Sequence, residues 1–218
     1  MWTMMSKVLS VGAEGWRARN GARLGRKLAG LLFVAGVLAG CGTSPEPDFY
    51  TLEPVKPATT QSLVAKVALR QVAIAGYLDR PQMVQFQDAY RIDINEYSRW
   101  AEPFGQMLSR VLVVNLSNSL PQSTVFLESY LGEIPSEMAV DVGVSRFEAN
   151  KDGTITLEAQ WVVRTGLQRK FAFAGRRSFS GTPTRPCIDD DVAVMSELMG
   201  ELSDAIAASL VQYQRAAG

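Results

Sequence analysis

The 218-residue sequence contains no histidine. That absence removes the side chain most used as a general base near neutral pH, and with it the commonest neutral metal ligand. Ser-His-Asp and Cys-His mechanisms are excluded, as is a zinc site built on Cys and His. Cysteine is almost absent too, with Cys41 and Cys187 the only two. The chain also lacks a Gly-rich Lys-Ser/Thr phosphate loop, so nucleotide hydrolysis is not expected of it. No apolar run reaches the roughly 20 residues that a spanning helix needs. These gaps predict a protein that is not an enzyme and that carries no cofactor and no metal.

The nearest approach to a long apolar run is residues 28–40, which end directly on Cys41. Arg17, Arg19, Arg23, Arg26 and Lys27 stand before it. A basic start, a short apolar stretch and small residues at the end make a secretory signal peptide. Leu38-Ala39-Gly40-Cys41 resembles the bacterial lipobox, which predicts a leader over 1–40 and lipidation of Cys41. Several acyl chains, each contributing about 0.8 kcal/mol per buried methylene, give lasting membrane attachment where one does not. Gly42 follows the cysteine, in place of the Asp that resembles an inner-membrane retention signal. The expected location is therefore the outer membrane, on its periplasmic face.

Losing the leader changes the charge. The whole chain balances 22 basic against 22 acidic residues, but the leader takes six of the former and only Glu14 of the latter. The remainder holds 16 basic and 21 acidic groups, a formal charge of −5. A nucleic-acid surface would need clustered Lys and Arg, so no nucleic-acid partner is expected. With Cys41 acylated, Cys187 has no partner for a disulfide, and the fold must rest on its own core. Cys187 lies just ahead of a helix, where it reads as a small apolar residue more readily than as an activated thiol.

Along the mature chain, residues 41–62 read as a lipidated, Pro-rich tether, with Asp48–Leu52 as a short β-prone island. A single domain is expected over 63–218. Residues 62–75 alternate well enough for a first strand, with Val67, Leu69 and Val72 on one face. Tyr77–Gln82 reads as a loop, Met83–Phe86 and Tyr90–Asn95 as a hairpin. Ser98–Pro103 should open a helix that carries Phe104, Met107, Leu108, Val111, Leu112 and Leu116 inward and stops at Leu120-Pro121. Val125–Glu128 reads as a strand, followed by an antiparallel meander over Met138–Phe147, Thr154–Arg164 and Lys170–Phe179. In the middle strand Ile155, Leu157, Ala159, Trp161 and Val163 share a face, the clearest period-two signal in the chain. The final helix opens with Asp189, Asp190 and Asp191 at the positive end of its dipole. Its apolar stripe runs from Ile188 through Met199 and Ile206 to Tyr213. The sum is an α/β (α+β) domain in which two main helices cover a mixed, largely antiparallel sheet.

Three segments carry a resemblance: Phe49-Tyr50-Thr51-Leu52, Tyr77-Leu78-Asp79-Arg80-Pro81-Gln82-Met83-Val84, and Arg99-Trp100-Ala101-Glu102-Pro103-Phe104 with Arg110-Val111-Leu112. In this order and spacing the chain resembles the ABC-type transport auxiliary lipoproteins of the PqiC (YmbA) kind. The resemblance implies an accessory role in lipid transport that supports envelope integrity. It also implies an MCE-domain protein and an inner-membrane permease as partners, and a homo-oligomer. A structural or assembly lipoprotein serving an outer-membrane complex is the alternative. Tyr77, Asp79, Arg80, Pro81, Arg99, Trp100 and Glu102 are the candidate partner contact, since exposed Tyr, Trp and Arg are enriched in interfaces. The structural alternative reads Asp79–Arg80 as a loop ion pair and Arg99 as stacked on the Trp100 indole.

Overall fold

The structure is a computed structural model and describes residues 45–128, 135–166 and 168–217. The leader and Cys41 lie outside the described residues. Residues 46–218 make one α+β unit with a nine-strand mixed sheet. Chain order is β1 (Asp48–Tyr50), β2 (Lys66–Leu69), β3 (Ala73–Ile74), β4 (Gln82–Asp88), β5 (Arg91–Trp100), α1 (Phe104–Ser119), β6 (Thr124–Leu127), β7 (Met138–Ala149), β8 (Ile155–Thr165), β9 (Lys170–Gly181) and α2 (Ile188–Ala217).

The long strand β7 organises the sheet. One edge pairs antiparallel with β8 along its whole length, and β8 pairs in the same way with β9. The other edge is shared in succession by β2, β3 and β4, all parallel to it. The sheet therefore forks: β6 extends it beyond β2, while β5 and then β1 extend it beyond β4. The expected single strand over 62–75 is split for a metric reason. Val67 pairs with Met138 and Ala73 with Gly143, so six residues on one side face five on the other. In the step between, the Val72 amide donates to Ser109 Oγ of α1 at 2.9 Å.

The alternation of β8 places Ile155, Leu157, Ala159, Trp161 and Val163 in the core. The matching faces of α1 and α2 cover them: Phe104, Met107, Leu108, Val111, Leu112 and Leu116 from one helix, Met195, Met199, Leu202, Ile206 and Leu210 from the other. Each such burial contributes roughly 1.5–3 kcal/mol. In β7 a bulge between Val144 and Arg146 returns Phe147 to the core face, against the simple alternation.

Two expectations are corrected. Ser98–Trp100 is the end of β5 and not the start of a helix. Its backbone is flanked by β1, which pairs Asp48 with Ser98 and Tyr50 with Trp100, and by Gln82 of β4 opposite Arg99. Pro103 also disfavours helical geometry in the residue before it, so the helix starts at Phe104 with Pro103 as its N-cap. The Pro-rich segment is extended as expected, yet from Asp48 onward it is a packed strap. Glu53 and Val55 donate their N–H groups to Ser196 Oγ at 3.2 Å and Asn115 Oδ1 at 3.0 Å, and Ala58 donates to Asp204 Oδ2 at 3.0 Å. Helix side chains thus replace the strand partner that the prolines and spacing deny it. Leu52 and Leu63 are fully buried beneath it. Gly200 of α2 is required at the crossing, because a Cβ there would lie 2.3 Å from Val55 Cγ2.

Candidate functional site

The three sequence segments singled out above converge on one corner of the domain. Phe49 and Tyr50 of β1 lie beside Arg99 and Trp100 of β5. The Trp100 amide donates to the Pro81 carbonyl at 2.7 Å, and the Ala101 amide to the Tyr50 carbonyl at 2.8 Å. Glu102 Oε1 accepts from Arg110 Nε at 3.0 Å and Nη2 at 2.7 Å, and Nη2 also reaches Thr51 Oγ1 at 3.0 Å. Arg110, in the third signature segment, thus ties this segment to the first. Its i+8 spacing from Glu102 bridges a turn and a helix, a separation that helical pair rules do not cover.

The candidate contact residues divide within this corner. Trp100 is only 6 % exposed and stacks on Phe104 with centroids 4.7 Å apart, so it is a core residue. Arg99 does not stack on that indole; its Nε donates to the Glu96 carbonyl at 3.1 Å. Asp79 and Pro81 are exposed, whereas Arg80 is half-buried. No Asp79–Arg80 ion pair exists among the described residues, and Arg80 Nε is buried without a partner there. Tyr77 is half-buried and faces inward. Its hydroxyl donates to Glu148 Oε2 at 2.7 Å, and its ring meets Phe86 edge-on at 5.8 Å.

Glu148 is the polar residue that the sequence did not single out. It is 1 % exposed and also accepts from Arg146 Nε at 2.6 Å and from the Phe147 amide at 2.9 Å. Arg146 lies 5.0 Å from the Phe86 centroid and reaches Asn150 Oδ1. Burial, reinforced by this carboxylate acceptor, pushes the Tyr77 hydroxyl well above its usual pKa. Such a network fastens the Tyr77 loop to β7 and leaves no free acid–base group.

Next to the corner, between the β4–β5 hairpin and the start of α2, lies a cavity of about 360 Å³. Leu78, Met83, Trp100, Phe104, Phe147 and Met195 make its floor. Its polar lining mixes Gln82, Gln85, Asn95 and Tyr97 with Asp93, Glu96, Asp191 and buried Glu148; no Lys or Arg lines it, though Arg99 Nη2 lies 3.8 Å from Glu96 Oε2. Partial burial, then the neighbouring Asp190 charge, raises the pKa of Asp191. Asp190 itself is held low by its hydrogen bonds from Arg185. Among the described residues no group of three or more Cys, Asp or Glu is placed to hold a metal ion.

Residues 50–207 match the family described as ABC-type transport auxiliary lipoprotein component. The chain belongs to that family. The match begins at Tyr50, the last residue of β1, and ends within α2, so it covers β2 to β9, α1, the larger part of α2 and most of the corner. Among curated proteins, the auxiliary lipoprotein is similar to the intermembrane transport lipoprotein PqiC of Escherichia coli (strain K12) and of Shigella flexneri. Each is 26 % identical over 177 residues, covering 78 % of this chain and 90 % of the relative. Two solved structures share the fold. A Xanthomonas campestris protein superposes with a TM-score of 0.66 at 14 % identity, covering 78 % of this chain and 99 % of its own. An uncharacterised protein superposes with a TM-score of 0.64 at 22 % identity, covering 76 % and 99 %.

Proposed function

We propose that this auxiliary lipoprotein is a non-enzymatic outer-membrane subunit of an MCE-type intermembrane lipid transport system. The family match over residues 50–207 carries the reading, and the name of PqiC as an intermembrane transport lipoprotein supports its direction. Cys41 is lipidated and holds the domain at the periplasmic face. The domain acts as a homo-oligomer and meets an MCE-domain protein, with an inner-membrane permease further along the system. The accessible part of the corner, exposed Asp79 and Pro81 and half-buried Arg99 with the β1 edge, is its contact for that protein. The Tyr77, Trp100 and Glu102 side chains hold this surface in shape from behind.

The test is affinity capture of the full-length lipoprotein from solubilised envelopes, with mass spectrometry of the co-purifying chains and palmitate labelling in parallel. The expected result is recovery of an MCE-domain protein, reduced at least tenfold by Asp79→Arg with Arg99→Glu, and loss of label in Cys41→Ala. Recovery of no transport component, or undiminished recovery by the double variant, would overturn the partner assignment. Continued labelling of Cys41→Ala would overturn the anchor.

A further inference from the structure

The cavity between the β4–β5 hairpin and the start of α2 has an aromatic floor. Trp100 stacks on Phe104 with centroids 4.7 Å apart, and Phe104 meets Phe147 at 5.9 Å. These three rings, from β5, from α1 and from β7, pack one against the next and all line the cavity. Met83 and Met195 add flexible apolar surface beside them. The volume of about 360 Å³ lies at the lower end of the roughly 300–1,000 Å³ of small-molecule sites. It suits a compact ligand and is too small for a two-chain lipid.

The formal charges that line it are all negative, and they are unequally engaged. Glu148 is held by Tyr77 and Arg146. Glu96 accepts from Gln82 Nε2 at 3.2 Å and has Arg99 Nη2 at 3.8 Å. Asp93 accepts from the Ile94 amide at 3.0 Å and from Gln87 Nε2 at 3.4 Å. Asp191 differs: among the described residues neither a cation nor a donor offsets its partial burial, and its pKa is raised. The one nearby guanidinium, Arg185, is taken by Asp190. Ile188 stands three residues before Asp191 and Met195 four after, and both line the cavity with it, as residues on one helix face do.

A partly buried carboxylate without a counter-charge is unfavourable, and a ligand that supplies one is favoured. A metal ion is a poor match, because among the described residues no three Cys, Asp or Glu are placed to hold one. An anion meets only repulsion from this lining. We propose that the cavity binds a small organic ammonium compound, a protonated amine carried on a compact apolar body. The ammonium pairs with Asp191, and Asp93 and Glu96 add to the field that attracts it. The body rests on the floor of Trp100, Phe104 and Phe147, whose ring systems attract cations as well as apolar groups. This ligand class lies beyond the transport role proposed above and does not depend on which chain the corner meets.

Titration calorimetry of the full-length lipoprotein in phosphatidylcholine nanodiscs, with empty discs subtracted, tests this without any transport partner. The probes are tryptamine, tryptophol and indoleacetate, which share an indole body and differ in charge. Tryptamine should bind with a Kd on the order of 0.1 mM, the scale for a ligand of its size. Tryptophol should bind about 10-fold more weakly, the difference of one charged contact, and indoleacetate not measurably. Asp191→Asn should weaken tryptamine by about 10-fold and leave tryptophol unchanged. Asp189→Asn, on the exposed side of the same turn and outside the lining, should change neither, which separates the site from the general field. Ile94→Trp fills the cavity from its half-buried lining position and should abolish binding of both; circular dichroism verifies its folding, and the two aspartate variants decide the matter without it. A wild type that does not bind tryptamine, equal affinity for the three probes, an Asp191→Asn variant that binds tryptamine normally, or an equal loss in Asp189→Asn would each overturn the proposal.

Discussion

Replacing Tyr77 with Phe isolates one hydrogen bond in the network behind the candidate contact. The ring and its packing on Phe86 remain, and what is lost is the 2.7 Å donation to Glu148 Oε2 with the longer 3.4 Å contact to the Ser145 carbonyl. Glu148 is buried, so water does not restore that bond. Arg146 and the Phe147 amide still hold the carboxylate, which limits the damage. A hydrogen bond to a charged group contributes about 1.5–3 kcal/mol; with two donors left in place the expected cost is about 2 kcal/mol. At roughly 2–4 °C per kcal/mol for a domain of this size, Tm should fall by about 4–8 °C. Urea unfolding at pH 7 should show a lower midpoint with an unchanged slope. The pH dependence distinguishes this cause from a packing defect. Tyr77 has a raised pKa in the folded state, so its contribution is complete below the usual tyrosine value of about 10 and is lost as pH rises toward the folded value. The gap between wild type and Tyr77→Phe should be flat from about pH 6 to 9. Above about pH 10 it should narrow by up to roughly 1.4 kcal/mol per pH unit. A gap below about 0.5 kcal/mol at pH 7, or one that persists unchanged to pH 11, would refute the assignment of Tyr77 as a buried-network donor.

Further tests address packing and charge. Trp100→Ala should cost about 3–5 kcal/mol in urea unfolding, because it empties a buried stack on Phe104; a cost under 1 kcal/mol would return Trp100 to the surface. Gly175→Ala should destabilise by roughly 1–3 kcal/mol, since its Cβ would lie 2.4 Å from Trp161 Cε2 and Cζ2 and the indole is held by its N–H donation to Ser209 Oγ at 3.3 Å. Asp191→Asn should raise stability at pH 7, because the raised carboxyl pKa disfavours folding where Asp191 is charged. That advantage should fade as pH falls through the carboxyl range, and a thermal-melt series from pH 3 to 8 would expose a variant with no pH-dependent difference.

Some of the protein's character was settled by residues acting over a few positions. The total lack of histidine excluded whole mechanism classes without any coordinates. The alternation in β8 and the 3.6-residue stripes of both helices located the core, because periodicity is a local property that one buried face imposes. The three signature segments could likewise be read in one dimension, though not their meeting at a single corner. What only the tertiary structure decided depends on partners distant in sequence. The strap looks like a free tether until Ser196, Asn115 and Asp204 are seen to take up its amides, at separations of 60 to 146 residues. Residues 98–100 look like the start of a helix until β1 and β4 arrive on either side. Glu148 reads as an ordinary surface acid, and a bulge three residues earlier, with Tyr77 approaching from 71 residues away, buries it. A sequence reports which face a segment wants to bury; which distant group will satisfy its amides and charges is fixed only when the sheet forks and the helices close over it.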